Sequence, residues 1–184
     1  MQSFEDRQSQ LQYEVYLALG GNLGDRPANL QAALNHLQAG GHFEIKELSA
    51  LYETAPVGYA DQPDFLNMAL RARTDLEPLA LLAYLKEVEA TLGRQPNFRN
   101  GPRPIDLDII FYNGLVLDEP ALQIPHPRLR GRGFVLKPLH DLAPDYIHPV
   151  YHLDVADLLA EVNLAEAGIK LFQPDRPLVI PGTS

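Results

Sequence analysis

Three features of the sequence predict an α+β fold. Short apolar runs that end in glycine or turn residues alternate with stretches whose apolar residues recur at helical spacing. Two strand patterns lie next to each other between the two clearest helical stretches, and a further strand pattern follows the second helix after a polar loop. The order strand, helix, strand, strand, helix, strand is that of a ferredoxin-like (βαββαβ) antiparallel sheet with helices on one face and, here, a C-terminal elaboration.

Residues 15–19 are an apolar run broken by Gly20-Gly21, as expected of a buried strand entering a tight turn. Pro27 suits a first helical turn, Leu30, Leu34 and Leu37 follow at helical spacing, and Gly40-Gly41 stops the helix. Residues 43–52 alternate imperfectly and read as one strand, followed by a turn-rich segment, 56–63. In the next strand Leu66, Met68, Leu70 and Ala72 face one way, and Asn67, Arg71 and Arg73 the other. Pro78 opens the second helix, Leu81, Leu85, Val88 and Leu92 form its apolar stripe, and Gly93 ends it. After the polar loop 94–103 comes a strand at 105–112. Beyond residue 115 the chain is Pro-rich, with one helix expected at about 155–162. We therefore expect a disordered extension at 1–12, one domain at 13–164 and a C-terminal tail at 165–184.

Composition narrows the function. The 184 residues fit one domain, and 24 acidic against 15 basic side chains leave a net charge of −9. That sign argues against a duplex nucleic-acid partner. Against it, Arg94, Arg99 and Arg103, and later Arg128, Arg130 and Arg132, gather in two local clusters. The absence of cysteine excludes disulfides, thiolate metal sites and cysteine nucleophiles. No apolar run reaches the roughly 18–20 residues of a membrane span, so a cytoplasmic protein without a membrane partner is expected.

The most informative motif is GPRPIDLDIIF, residues 101–111. On a strand, Asp106 and Asp108 project together while Ile105, Leu107 and Ile109 anchor the opposite face. A bare D-x-D pair reads first as a solvated sheet face. The flanking arginines change the balance, because carboxylates holding Mg²⁺ together with guanidinium groups are the usual apparatus for polyphosphate. The segment PHPRLRGRGF, 125–134, is either a clamp for phosphate oxygens or a solvated basic loop. Gly20-Gly21-Asn22-Leu23-Gly24 lacks the spacing of a P-loop or dinucleotide fingerprint, and close backbone packing explains it better than a phosphate cradle. Phe65 and Asn67 share a strand face and could stack on, and hydrogen-bond to, a flat heterocycle. His148 and His152 are separated by Pro149 and are not read as a metal pair.

In this order, YLALGGNLGD, LYETAPVGYADQPDFLNMAL, GPRPIDLDIIFYNG and IPHPRLRGRGFVLKPL resemble the 6-hydroxymethyl-7,8-dihydropterin pyrophosphokinase family over residues 13–149. The resemblance implies transfer of pyrophosphate from MgATP to the pterin hydroxymethyl group, with AMP released, in folate biosynthesis. It implies that Asp106 and Asp108 hold two Mg²⁺ ions, and that Arg94, Arg103 and Arg132 surround the triphosphate with His126 nearby. Leu82 and Ile109 would lie against adenine. Thr54, Val57, Phe65 and Asn67 would form the pterin pocket, with Phe134 as its second aromatic wall. Glu89 matches a helix position near the nucleotide and is assigned no role. Asn100 and Pro127 stand where relatives often carry aromatics, and Phe65 where tyrosine is common. ATP and the pterin are the expected partners, acting on a monomer. A nucleotide sensor without turnover and a nucleotidyltransferase releasing pyrophosphate are the alternatives.

Overall fold

The computed structural model describes residues 11–98 and 100–182. The expected N-terminal extension thus lies outside the described residues up to position 10, as does Arg99; Leu11 is already buried. Strand β1 (Tyr13–Gly21) is the centre of the sheet, antiparallel to β4 (Phe65–Thr74) on one side and to β5 (Asp106–Tyr112) on the other. Along its far edge β4 takes two strands end to end, β2 (Phe43–Leu48) and β3 (Leu51–Thr54). The single strand expected over 43–52 is broken because Ser49 uses its side chain in the ladder. Its Oγ accepts from Ala69 N at 2.8 Å while its own N–H donates to Ala69 O at 3.0 Å.

Helices α1 (Arg26–Ala39) and α2 (Pro78–Thr91) cover one face, where Val15, Leu17 and Leu19 of β1 meet Leu30, Leu34, Leu81 and Leu85. Asp25 caps α1, accepting from Ala28 N at 3.0 Å. This is the antiparallel α/β arrangement expected. The opposite face is not bare, however. Tyr16 and Phe111 pack there against α3 (Gly133–Leu142) and α4 (Val155–Ala160) in a second apolar cluster. The sequence reading missed α3, because Pro138 inside it and the arginines before it resemble a loop. Its amphipathic pattern is nonetheless sufficient, with Val135, Leu136 and Leu139 buried. The short ribbon β6 (Leu117–Asp118) with β7 (Gln123–Ile124) follows β5. Residues expected to form a plain tail contribute β8 (Lys170–Phe172), which pairs with β3 at the sheet edge.

Between Tyr16 and Leu17 the β1–β5 register shifts by one residue, a β-bulge. It lets Phe111 pack with Tyr16 against α3 and α4 while Asp106 and Asp108 keep the same face further along β5.

The end of β1 lies so close to the chain entering β5 that only glycine fits. A Cβ on Gly21 would fall 2.1 Å from the Pro104 carbonyl oxygen. Gly21→Ala is expected to push residues 103–104 away and to destabilise by about 1–3 kcal/mol, measured by urea unfolding. An unchanged midpoint would show that this contact yields freely.

Candidate active site

The first turn of α3 borders a cavity of about 800 Å³ that reaches the C-terminal part of α2, where Lys86, Glu89 and Ala90 line it. Its floor is made of residues facing one another across the strands: Gly20 opposite both Asn67 and Asp106, and Ala18 opposite Asp108. The small residues of β1 leave room above the carboxylates. Thr54, Val57, Phe65, Arg94, Arg103, His126, Arg132 and Phe134 all line the same space. A second cavity of about 570 Å³ adjoins it, sharing Lys86, Asp108 and His126, and holds Leu82 and Ile109 in its wall. Every site residue expected from the sequence therefore falls in one of two connected recesses.

The two aspartates are not electrostatically equivalent. Asp106 forms ion pairs with Arg94 and, at 2.9 Å, with the Nε of Arg103. Burial alone would raise its pKa, but the two guanidiniums overcome that and hold Asp106 below the ordinary carboxylate range. Asp108 makes no ion pair among the described residues. Burial, with the Asp106 charge adding to it, pushes its carboxyl up.

This asymmetric pair fits Mg²⁺. No third acidic, histidine or cysteine side chain completes a metal cage among the described residues. Mg²⁺ characteristically takes one or two carboxylates and fills its remaining positions with water and substrate phosphate.

Of the three arginines in segment 125–134, Arg130 pairs with Glu161 at 2.7 Å. Arg128 and Arg132 form no ion pair among the described residues, and burial together with the Arg128 charge lowers the pKa of Arg132. A guanidinium depressed by burial and by a neighbouring cation is placed to receive an anion. His126 is lowered by burial; its Nδ1 accepts from Arg128 N at 3.1 Å, which leaves Nε2 as the donor.

Two aromatic rings complete the recess. The guanidinium of Arg103 lies 4.9 Å from the Phe65 ring centre, and that of Arg132 lies 5.6 Å from Phe134. Asn67 is fixed because its Nδ2 donates to Thr54 Oγ1 at 2.8 Å. Its Oδ1 lies 2.6 Å from where a Cβ on Gly20 would be, so this glycine makes space for the amide. Close packing, as expected, is what the Gly20-Gly21 pair provides.

Several residues around the site have roles that the sequence did not assign, among them Glu89, which the resemblance places near the nucleotide without a role. Glu89 is 2% exposed, accepts from Leu107 N at 2.7 Å, and pairs with Arg94 at 2.9 Å, so it ties α2 to β5 and aims a site arginine. Its signal was present: position 89 falls within the apolar stripe set by Leu81, Leu85 and Val88, where a carboxylate needs a reason. Asn22 is equally buried. Its Nδ2 donates to Gln62 Oε1 and Pro63 O, and its Oδ1 accepts from Arg103 N, each at 2.9 Å. It thereby joins the turn after β1 to the two loops flanking the recess. At the mouth, Tyr59 and Phe98 meet edge to face at 5.1 Å. Nothing local in the sequence announces either arrangement, since both depend on distant segments meeting.

A carboxylate pair with two guanidiniums on Asp106, and two more, Arg128 and Arg132, that form no ion pair among the described residues, set in an antiparallel α/β sheet, has the make-up of a phosphate-handling site. The chain belongs to the 7,8-dihydro-6-hydroxymethylpterin-pyrophosphokinase (HPPK) family, whose model matches residues 16–144. It is 39% identical over 150 residues to the 2-amino-4-hydroxy-6-hydroxymethyldihydropteridine pyrophosphokinase of Aquifex aeolicus, covering 82% of this chain and 92% of that protein. It is 44% identical to the folic acid synthesis protein FOL1 of Dictyostelium discoideum over 84% of this chain but 23% of that one. The chain thus spans about a quarter of the length of that larger relative. A crystal structure of Plasmodium falciparum HPPK-DHPS superposes with a TM-score of 0.67 at 18% identity, over 81% of this chain and 45% of that one, and shows the shared fold.

Proposed function

We propose that the chain transfers a pyrophosphoryl group from MgATP to 6-hydroxymethyl-7,8-dihydropterin, releasing AMP, as a step of folate biosynthesis. The observation that carries this reading is the junction of two chemistries in one cavity. Asp106, Asp108 and the arginines suit a metal-bound triphosphate, while Phe65, Phe134 and the fixed amide of Asn67 suit a flat ring with a polar edge.

In this reading Asp106 and Asp108 hold two Mg²⁺ ions, which when bound neutralise phosphate charge and align the displacement. Arg94, Arg103 and Arg132 contact the triphosphate, and His126 contributes a neutral Nε2–H donor. Leu82 and Ile109 flank adenine in the adjoining recess. Thr54, Val57, Phe65, Asn67 and Phe134 hold the pterin, so that the residues act by positioning and by electrostatics. The sheet order β5-β1-β4-β3 with its two crossing helices supports a ferredoxin-like topology. A cytoplasmic monomer remains our reading of its working state; no helix among the described residues is long and apolar enough to cross a membrane.

The test is a discontinuous assay with MgATP and the hydroxymethyl pterin, resolving AMP, ADP and pyrophosphate by chromatography. AMP formed in step with a diphosphorylated pterin is expected. Pyrophosphate release would indicate nucleotidyl transfer instead, and ATP binding without any product would leave a sensor.

The loops at 57–64 and 95–100 flank this cavity, and among the described residues they meet through the Tyr59–Phe98 edge, a 2.8 Å bond from Gln62 Nε2 to Asn100 O and the approach of the Asn100 side chain to Gly58. Loops of this kind close over substrates. Their amide exchange is expected to slow when MgATP and a pterin analogue are both bound; equal exchange with and without ligands would rule closure out.

A further inference from the structure

Two of the arginines that face the proposed triphosphate site, Arg94 and Arg103, are already engaged. Arg94 pairs with Asp106 and, at 2.9 Å, with Glu89; Arg103 pairs with Asp106 at 2.9 Å and donates to Gly101 O at 3.0 Å. Asp108, two residues along the same strand face, is paired with neither. We propose that Arg94 and Arg103 form a built-in counter-charge for Asp106 that makes the site selective for metal-bound over metal-free nucleoside triphosphate. This rests on the nucleotide reading given above.

The argument follows from charge accounting at a partly buried carboxylate. Asp106 requires a cation, and two guanidiniums supply it. A triphosphate without a metal meets a site whose nearest arginines are committed to that carboxylate. To gain them it must strip Asp106 of its partners and then sit beside two uncompensated carboxylates. A triphosphate carrying its own divalent cation removes the conflict, because Asp106 then has another cation and Arg94 and Arg103 are free to turn to phosphate oxygens.

The structure provides for that turn. Arg94 keeps its second partner, Glu89, which is anchored to Leu107 N at 2.7 Å and so limits where the guanidinium can go. Arg103 rests on the Phe65 ring at 4.9 Å, where it can slide without losing its cation–π contact. Arg128 and Arg132 form no ion pair among the described residues, Arg132 lying over the Phe134 ring at 5.6 Å, and are available to either form of the nucleotide. Selectivity is thereby assigned to Arg94 and Arg103 acting through Asp106, not to the general basicity of the cavity.

The experiment compares Asp106→Asn with Asp108→Asn. Both remove one negative charge from the same strand face, but only the first releases arginines. Isothermal titration is run with MgATP and with ATP in excess EDTA, at fixed ionic strength. Wild type is expected to bind MgATP and to bind metal-free ATP far more weakly. Asp106→Asn is expected to gain about tenfold or more in affinity for metal-free ATP, the range of an ordinary coupling between sites; Asp108→Asn is expected to gain much less. Equal gains in the two variants, with MgATP still bound by wild type, would overturn the proposal while leaving the nucleotide reading intact. Failure of wild type to bind MgATP at all would overturn both. A second measurement covers the case in which Asp106→Asn does not fold. The side-chain Nε–Hε resonance of wild-type Arg103 is expected to shift on adding MgATP and to stay in place on adding ATP with EDTA; the same response to both would also overturn the proposal.

Discussion

Replacing Asp108 by asparagine is expected to abolish turnover and yet raise the stability of the metal-free protein, whereas Asp106→Asn abolishes turnover and lowers it. The loss of activity has one cause in both cases. A carboxylate oxygen facing the metal and phosphate site becomes a weak neutral ligand, and a fall of about 10³-fold or more follows from losing charge stabilisation there.

The stability effects diverge because the two carboxylates have different surroundings. Asp106 is held below the ordinary carboxylate range by Arg103 and Arg94 prevailing over burial. Its stabilisation is therefore present above the unfolded value and is lost as the pH falls through the folded one. Removing its charge takes the Asp106 ion pair from both guanidiniums, although Arg94 keeps Glu89, and costs about 1–3 kcal/mol. Asp108 is raised by burial and by Asp106, so its contribution is present at acid pH and is lost as the pH rises through the folded value. At neutral pH its charge opposes folding, and asparagine relieves it. A gain of about 1 kcal/mol would lift the melting midpoint by roughly 2–4 °C in a chain of this size. Thermal unfolding of the two variants in EDTA checks this; shifts of the same sign would show that the arginines do not distinguish the two positions.

The second large effect is expected at Glu89. Glu89→Ala leaves the buried Leu107 N–H without an acceptor and takes a partner from Arg94, for a loss of about 3 kcal/mol. Burial raises the pKa of Glu89 in spite of Lys86, the Leu107 N–H and Arg94, all of which favour the charged form. Its stabilising contribution is thus present below the unfolded value and falls away as the pH rises through the folded one. What the fold requires at this position is an acceptor more than a charge. Glu89→Gln, which retains the carbonyl oxygen, is accordingly expected to cost far less stability than Glu89→Ala. Both variants should lower kcat/KM, because Arg94 loses the anchor that aims it. Urea unfolding separates the two substitutions, and equal losses would mean that the charge itself is required.

The strand and helix order of the first 112 residues was legible in the sequence because each element carries its own period. Val15, Leu17 and Leu19 alternate along β1, and Leu81, Leu85 and Val88 recur along α2, so local chemistry alone specifies which face is buried. The common face of Asp106 and Asp108 followed from the same geometry. Helix α3 was missed because Pro138 contradicts helical propensity, although its apolar spacing is present; packing in the cluster that includes Tyr16 and Phe111 offsets the proline. The split between β2 and β3 was not legible, because it depends on Ser49 meeting Ala69 twenty residues away.

For the candidate site, the sequence by itself determined the types of group present and their grouping on β4, β5 and the arginine-rich segments. Only the tertiary structure decided which arginines face which aspartate, that Asp108 forms no ion pair among the described residues, and that Glu89 and Asn22 hold the surrounding segments in place. The physical reason is range. Periodicity and turn chemistry act within a few residues, whereas ion pairs and buried hydrogen bonds form between whichever groups the packed core brings within about 3 Å of one another.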